Sequence, residues 1–435
     1  MTKWFVRAGL ALALMLVAAC HRGLDPVAFQ ADGRPPRLSD WHVVEVRDGK
    51  LVLNQGVVPY DLNTPLFTDY AHKLRTIWMP SGVSAKYDPT DTFDFPVGTV
   101  ISKTFYYPRT ADGKFSDVAR TYDASKDFAG EGLDLAHVHL IETRILVRRE
   151  AGWAAIPYVW KDDQSDALLA RTGAVIPLTL VDDKAAREDF NYVVPDESQC
   201  SSCHAQDWVT RKIHPIGPKA RHLNRDYHYA TGDENELAHL MKVGYLTGAP
   251  APADAPRNAN WADEHASLDA RARAYLDINC GHCHNPKGAA NTTGLTLDVS
   301  VLEDRHLGIC KPPVAAGRGT GDHLFDIVPG LPDDSILPFR MGSTDPGTMM
   351  PELGRSTVHR EGVALIKAWI AAQSGGLRRD SLMEQHAAAL GPRPFHSRGE
   401  TADEYPSASV VRLPASPAAR QHSSARCTAR RRLGQ

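Results

Sequence analysis

Polar and apolar residues alternate with a period of about two in the first half of the chain, and apolar residues recur every three or four positions in the second half. Between residues 41 and 194 the runs KLVL (50–53), TVISKTFYY (99–107) and IETRILVR (141–148) are β-branched or aromatic, and Asp-Gly, Pro and Gly interrupt them. That punctuation belongs to strands. Residues 141–148 and 153–160 flank Glu150-Ala151-Gly152, which predicts a hairpin turn. The region as a whole predicts an antiparallel β domain built as a sandwich over 41–194. After Pro195 the period changes. NELAHLMKVGY (235–245), SLDARARAYLDIN (267–279) and HREGVALIKAWIAAQ (359–373) place apolar residues at helical spacing, which predicts amphipathic helices. Ser267 opens the second of these without a capping box, but Asp269 in the first turn suits the helix dipole. The fold class expected is therefore α+β and multidomain, with two small, mainly helical units over 195–262 and 263–375 following the β domain. From 376 to 435 the chain turns rich in Ser, Ala, Pro and Arg and loses its period, so that tail is expected to be disordered.

The first nineteen residues place Lys3 and Arg7 before an apolar run from Ala8 to Ala19, the layout of a secretory signal. The run is too short to span a bilayer. Val17-Ala18-Ala19-Cys20 resembles a bacterial lipobox, which implies a mature chain that begins at a lipid-modified Cys20. His21, not Asp, follows it, which by the usual sorting rule implies the periplasmic side of the outer membrane. Residues 20–40 then read as a tether. The 435 residues carry a net charge of -3, and basic residues are scattered except at the C-terminus. That distribution argues against a nucleic-acid partner.

Export sets an oxidising context for the seven cysteines. Four of them form Cys200-Ser201-Ser202-Cys203-His204 and Cys280-Gly281-His282-Cys283-His284, and Cys-x-x-Cys-His is the attachment signature of c-type haem. One helical turn brings both sulfurs beneath the vinyl groups of one porphyrin, and the histidine that follows meets the iron. Two haems c are therefore the expected cofactors. A zinc site could use the four thiols, but it leaves the histidine after each pair unexplained. With Cys20 lipidated, Cys310 and Cys427 remain. Cys310 reads as a free thiol, and a Cys310–Cys427 disulfide stays open.

A haem in an electron carrier needs a sixth ligand, often methionine. Thr348-Met349-Met350-Pro351-Glu352 lies between the second motif and the last helix, an order that resembles class I cytochromes c. Met350 is the expected ligand, with Met349 and Met341 as alternatives. For the first haem the candidates His214, His222, His228, Met241, Met79 and His72 all stay open, as does an absent ligand, which a peroxidase or reductase would need. Asp162, Asp163 and Asp166 lack the Gly and distant Glu of a calcium loop, and no catalytic residues are assigned.

The chain resembles a family of bacterial periplasmic dihaem c-type cytochrome lipoproteins. The matching stretches are YDLNTPLFTDYA (60–71), FPVGT (95–99), IETR (141–144), YVW (158–160), PIGP (215–218), GICK (308–311) and MMPELG (349–354). The resemblance spans residues 60–370. It implies cytochrome c-like haem domains and membrane-tethered electron transfer to a periplasmic redox partner protein. The alternatives carried forward are a dihaem peroxidase or oxidase with one open-coordinate haem, and a redox-sensing or partner-binding module.

Overall fold

The computed structural model describes residues 24–205, 207–314 and 317–373. Cys20, Cys427, the signal segment and the tail lie outside the described residues.

Six strands form the main sheet: β1 (Val58–Tyr60), β2 (His72–Trp78), β3 (Val100–Pro108), β4 (Val138–Arg149), β5 (Gly152–Trp160) and β6 (Ala167–Leu169). They lie side by side in chain order, and every neighbouring pair is antiparallel. The β4–β5 hairpin pairs Arg149 with Gly152, so Glu150 and Ala151 make the turn. Period-two alternation gives the sheet two different faces. Val100 and Tyr106 of β3 enter one core, packed against Leu51 and Leu133 of a smaller four-stranded sheet. Ile101 faces the opposite way, and Phe105 and Tyr107 follow it.

The register of β4 against β3 is irregular between Leu140 and Glu142. The extra residue reverses the alternation of β4, so Leu140 and Ile145 share one core although their numbers differ in parity. Glu142 and Arg144 are thereby turned to the face that carries Lys103. This second face is covered at one end by the hairpin β7 (Ala174–Val181) and β8 (Arg187–Val194), and at the other by apolar residues from 220–255.

Six α-helices follow among the described residues: α1 (Glu197–His204), α2 (Ala220–Leu223), α3 (Glu236–Lys242), α4 (Leu268–Asn279), α5 (Ile336–Met341) and α6 (Arg360–Ala372). Ser267 caps α4, its hydroxyl accepting from the amide of Ala270 at 3.2 Å. Ala272 and Leu276 of α4 pack with Leu365, Ile366 and Trp369 of α6. No helix of the described residues is long and apolar enough to cross a membrane.

The expected fold class needs correction. The molecule is mostly β, and the two small, mainly helical haem domains are not found among the described residues. Two physical reasons account for this. The helices after the first motif are short, and Leu223, Leu237 and Leu240 from α2 and α3 share a core with Val58, Ile77 and Ile101 of the sheet. Residues 281–335 carry Pro286, Pro312 and Pro313 and repeated glycines, which break helices, and the described residues among them form turns, short 3-10 segments and isolated β-bridges. The periodic stretch 235–245 is cut to two turns and ends before Gly244, whose φ of 80° continues no helix. Neither is Cys310 the free thiol expected, since it is disulfide-bonded.

Candidate functional site

The first motif lies wholly within α1. Asp196 accepts from the amide of Gln199 at 2.8 Å and its own amide donates to the Gln199 side chain at 3.0 Å, a reciprocal cap that starts the helix one turn before Cys200. The second motif begins where α4 ends, with Cys280 at the C-cap. His284 continues the turn, its amide donating to the carbonyl of Cys280 at 2.9 Å.

Both motif histidines are held in the same way. His204 Nδ1 faces the carbonyl of His214 at 3.1 Å, and His284 Nδ1 faces Thr293 Oγ1 at 3.2 Å. The Thr293 hydroxyl itself donates to Ala290 at 2.7 Å, so it accepts from the imidazole. A donor bond at Nδ1 leaves the lone pair on Nε2, the arrangement usual for a metal-ligating histidine. Burial foremost, then Lys103 beside His204 and His282 beside His284, pulls each imidazole down to about 4. Both are neutral at pH 7, the form that ligates. Burial pushes the thiols of Cys200 and Cys280 up to about 11 and about 12.

The two motifs meet. The sulfurs of Cys203 and Cys283 and a ring nitrogen of His282 lie within 4.8 Å of one another. Cys283 Sγ is 3.8 Å from the carbonyl of Ser202, and the amide of Trp208 donates to Lys287 at 2.9 Å, joining the loops beyond each motif. Hydrogen bonding between the two thiols lowers the affinity of Cys203 for its proton and raises that of Cys283.

Cys200, Cys203, His204 and His282 line a cavity of about 160 Å³ together with Lys73, Arg75, Lys103, Phe105 and Arg144 from the second face of the sheet. Tyr60, Phe67, Lys73 and Arg75 also line a neighbouring cleft of about 800 Å³. Cofactor-sized ligands occupy roughly 300–1,000 Å³, so a porphyrin needs the joined space. The donor set fits a c-type haem: four free thiols in two pairs, and after each pair an imidazole with its Nε2 available.

Of the candidate sixth ligands to the first motif, only His222 lines its cavity. Its Nε2 is tied to Asp277 Oδ2 at 2.8 Å, while its buried Nδ1 has no partner. His214 Nδ1 faces its neighbour Pro215 at 3.0 Å. His72 has both nitrogens engaged, by Asp127 and Thr121. His228 sits exposed on a hairpin with Asp233. Met79 is buried in the core shared by sheet and helices, and Met241 packs against that core.

Around the second motif, Met350 is half-buried and its amide donates to the carbonyl of Arg340, whose guanidinium lies close enough to His284 to lower its proton affinity. The Met350 loop thus lies near His284, while Pro351, Leu353 and Gly354, which follow Met350, line the cavity of the first motif. Arg355 holds it, donating to the carbonyls of Met350, Ser343 and Thr357 at 2.8, 2.8 and 3.0 Å. Met341 is spent in the core between α4 and α6. Met349 is buried.

Sequence reasoning missed Arg75, Lys103, Arg144 and His282, and it reads Lys73 as part of a solvated loop, whereas Lys73 lines the cavity. Lys103 had left a signal, since Ile101, Phe105 and Tyr107 on its own side of the alternation are all apolar. No family model, no curated protein and no solved structure matches the chain, so its function has to be argued from this geometry.

Proposed function

We propose that the protein is a dihaem c-type cytochrome that transfers electrons on the periplasmic side of the outer membrane, tethered there through Cys20 and serving a periplasmic redox partner protein. The observation that carries this reading is the meeting of Cys203 with Cys283, one thiol from each attachment motif. A c-type haem bound at each motif supplies one-electron chemistry at its iron. Cys200 and Cys203 would hold the first haem as thioethers and Cys280 and Cys283 the second, and the contact between Cys203 and Cys283 would give a short path from one motif to the other. His204 and His284 would each offer Nε2 to the iron, their rings oriented by His214 and Thr293. His222, which lines the first cavity, would be a further ligand at the first site, and Met350 at the second. The resemblance to dihaem lipoproteins supports the same reading.

The test is a visible and low-temperature EPR spectrum of the exported holoprotein, oxidised and reduced, with and without peroxide. Two low-spin haems that ignore peroxide are expected. A high-spin haem that reacts with peroxide would replace the shuttle with a peroxidase or oxidase. The same contact favours a second reading: Cys203, His282 and Cys283 offer two thiolates and an imidazole to an ion such as zinc. Metal analysis separates the two, because thioether bonds at Cys203 and Cys283 leave no thiolate for zinc.

A further inference from the structure

Three neighbouring strands bring three cations into one row. Arg75 of β2 is directly opposite Lys103 of β3, and Lys103 directly opposite Arg144 of β4. Directly opposed side chains touch, and like charges in that position repel. Lys73, two residues before Arg75 on the same face, is opposite Phe105. The Phe105 ring gathers the group, with Lys73 Nζ, Lys103 Nζ and Arg144 Cζ at 5.6, 5.1 and 4.4 Å from its centroid. All four cations line the cavity that holds the first motif.

Two of the four are neutralised. Asp61 pairs with Arg75 at 2.6 Å, and Glu142 takes Arg144 in two bonds of 2.5 and 2.8 Å while also accepting from Tyr192. Lys73 donates to the carbonyl of Ala71 at 2.9 Å, and neither lysine has an ion-pair partner among the described residues. With both lysines protonated, and leaving aside Arg225, which shares Asp61 at 3.0 Å, four cations less two carboxylates leave two positive charges. Burial, and after it the neighbouring guanidiniums, pulls Lys73 well below its ordinary value and Lys103 to about 7. An uncompensated buried charge is costly, and an apolar residue would pack this face better, as Ile101 and Phe105 do on either side of Lys103.

We propose that Lys73 and Lys103, supported by Arg75 and Arg144, receive the two propionate carboxylates of the haem attached at Cys200, Cys203 and His204. The inference rests on the haem reading of that motif. Two carboxylates are what a haem carries, and the cavity of the motif presents two lysines without an ion-pair partner among the described residues. The row would anchor the macrocycle against the sheet and, by adding positive charge beside the iron, favour its reduced state and raise its potential.

The test uses exported holoprotein of the wild type and of Lys103→Met, Lys73→Met and Lys103→Arg. Covalent haem is counted first, so that a failure of the haem reading shows before anything else is measured. Potentiometric titration and the propionate bending bands of the resonance Raman spectrum follow. The expected result is that both Met variants keep two haems, lower the potential of the first only, and shift its propionate bands, while Lys103→Arg keeps the wild-type values. Should Lys103→Met fail to accumulate, Lys73→Met and Lys103→Arg decide the matter. Unchanged potentials and bands would overturn the assignment. So would a saturable response of the wild-type first haem to sulfite or nitrite that Lys103→Met abolishes, which would give the row to a free oxyanion.

Discussion

Replacing Asp277 by Asn removes the charge at the centre of a buried polar cluster. Asp277 accepts from Arg221 Nε and Nη2 at 2.9 Å each, from His222 Nε2 at 2.8 Å and from Asn258 Nδ2 at 2.8 Å. Asp277, Arg221 and His222 are all nearly inaccessible to solvent. Breaking a buried ion pair from one side costs roughly 3–5 kcal/mol because the other charge stays behind. Here Arg221 keeps Asp298 at 2.6 Å and the carbonyl of Thr90, so about 3 kcal/mol, the lower end of that range, is expected at pH 7. The sign with pH comes from the carboxyl itself. Burial acts to raise its pKa, but hydrogen bonds from His222 and Arg221 outweigh burial and hold it far below the ordinary value. Its stabilisation is therefore fully present above the unfolded value of about 3.9 and is lost as pH falls below it toward the folded value. Urea unfolding of the two holoproteins followed by circular dichroism should show the difference narrowing from pH 5 to pH 2. A loss under about 1 kcal/mol at pH 7, or a gap that does not change with pH, would refute the reasoning.

Three further outcomes are expected. His222→Ala should turn the first haem high-spin and leave the second low-spin, read by EPR of the oxidised protein. Met350→Ala should abolish the near-infrared band of methionine ligation and lower the potential of the second haem alone, because a thioether ligand favours the reduced iron. Arg355→Ala strands the carbonyls of Met350, Ser343 and Thr357, and at roughly 1 kcal/mol for each stranded carbonyl should cost about 3 kcal/mol in urea unfolding.

Much of the fold was written in the chain in local form. Alternation placed the β4–β5 hairpin, and helical spacing placed α4 and α6 to within a residue of their observed ends, because strong periodicity and a capping serine are short-range signals. Tertiary facts were hidden. That α2 and α3 complete a core with β1, β2 and β3 depends on contacts between residues more than a hundred positions apart, which no local period reports. The meeting of Cys203 and Cys283 is of the same kind. The cation row was half legible: a lysine on the apolar side of an alternating strand is visible in ISKTFYY, but its opposition to Arg75 and Arg144 depends on register, and on the irregularity in β4 that turns Arg144 to that side.

The measurement to make before the others is the haem content of the denatured, exported chain, by intact mass and pyridine haemochrome, for the wild type and for Cys203→Ser and Cys283→Ser. Two haems that remain with the unfolded wild-type polypeptide, each joined through two thioethers, are expected, with one of those thioether bonds lost from the affected haem in each serine variant. A wild-type chain that releases all its haem on unfolding, or carries none and binds zinc through Cys203, His282 and Cys283 instead, would contradict the assignment of both motifs.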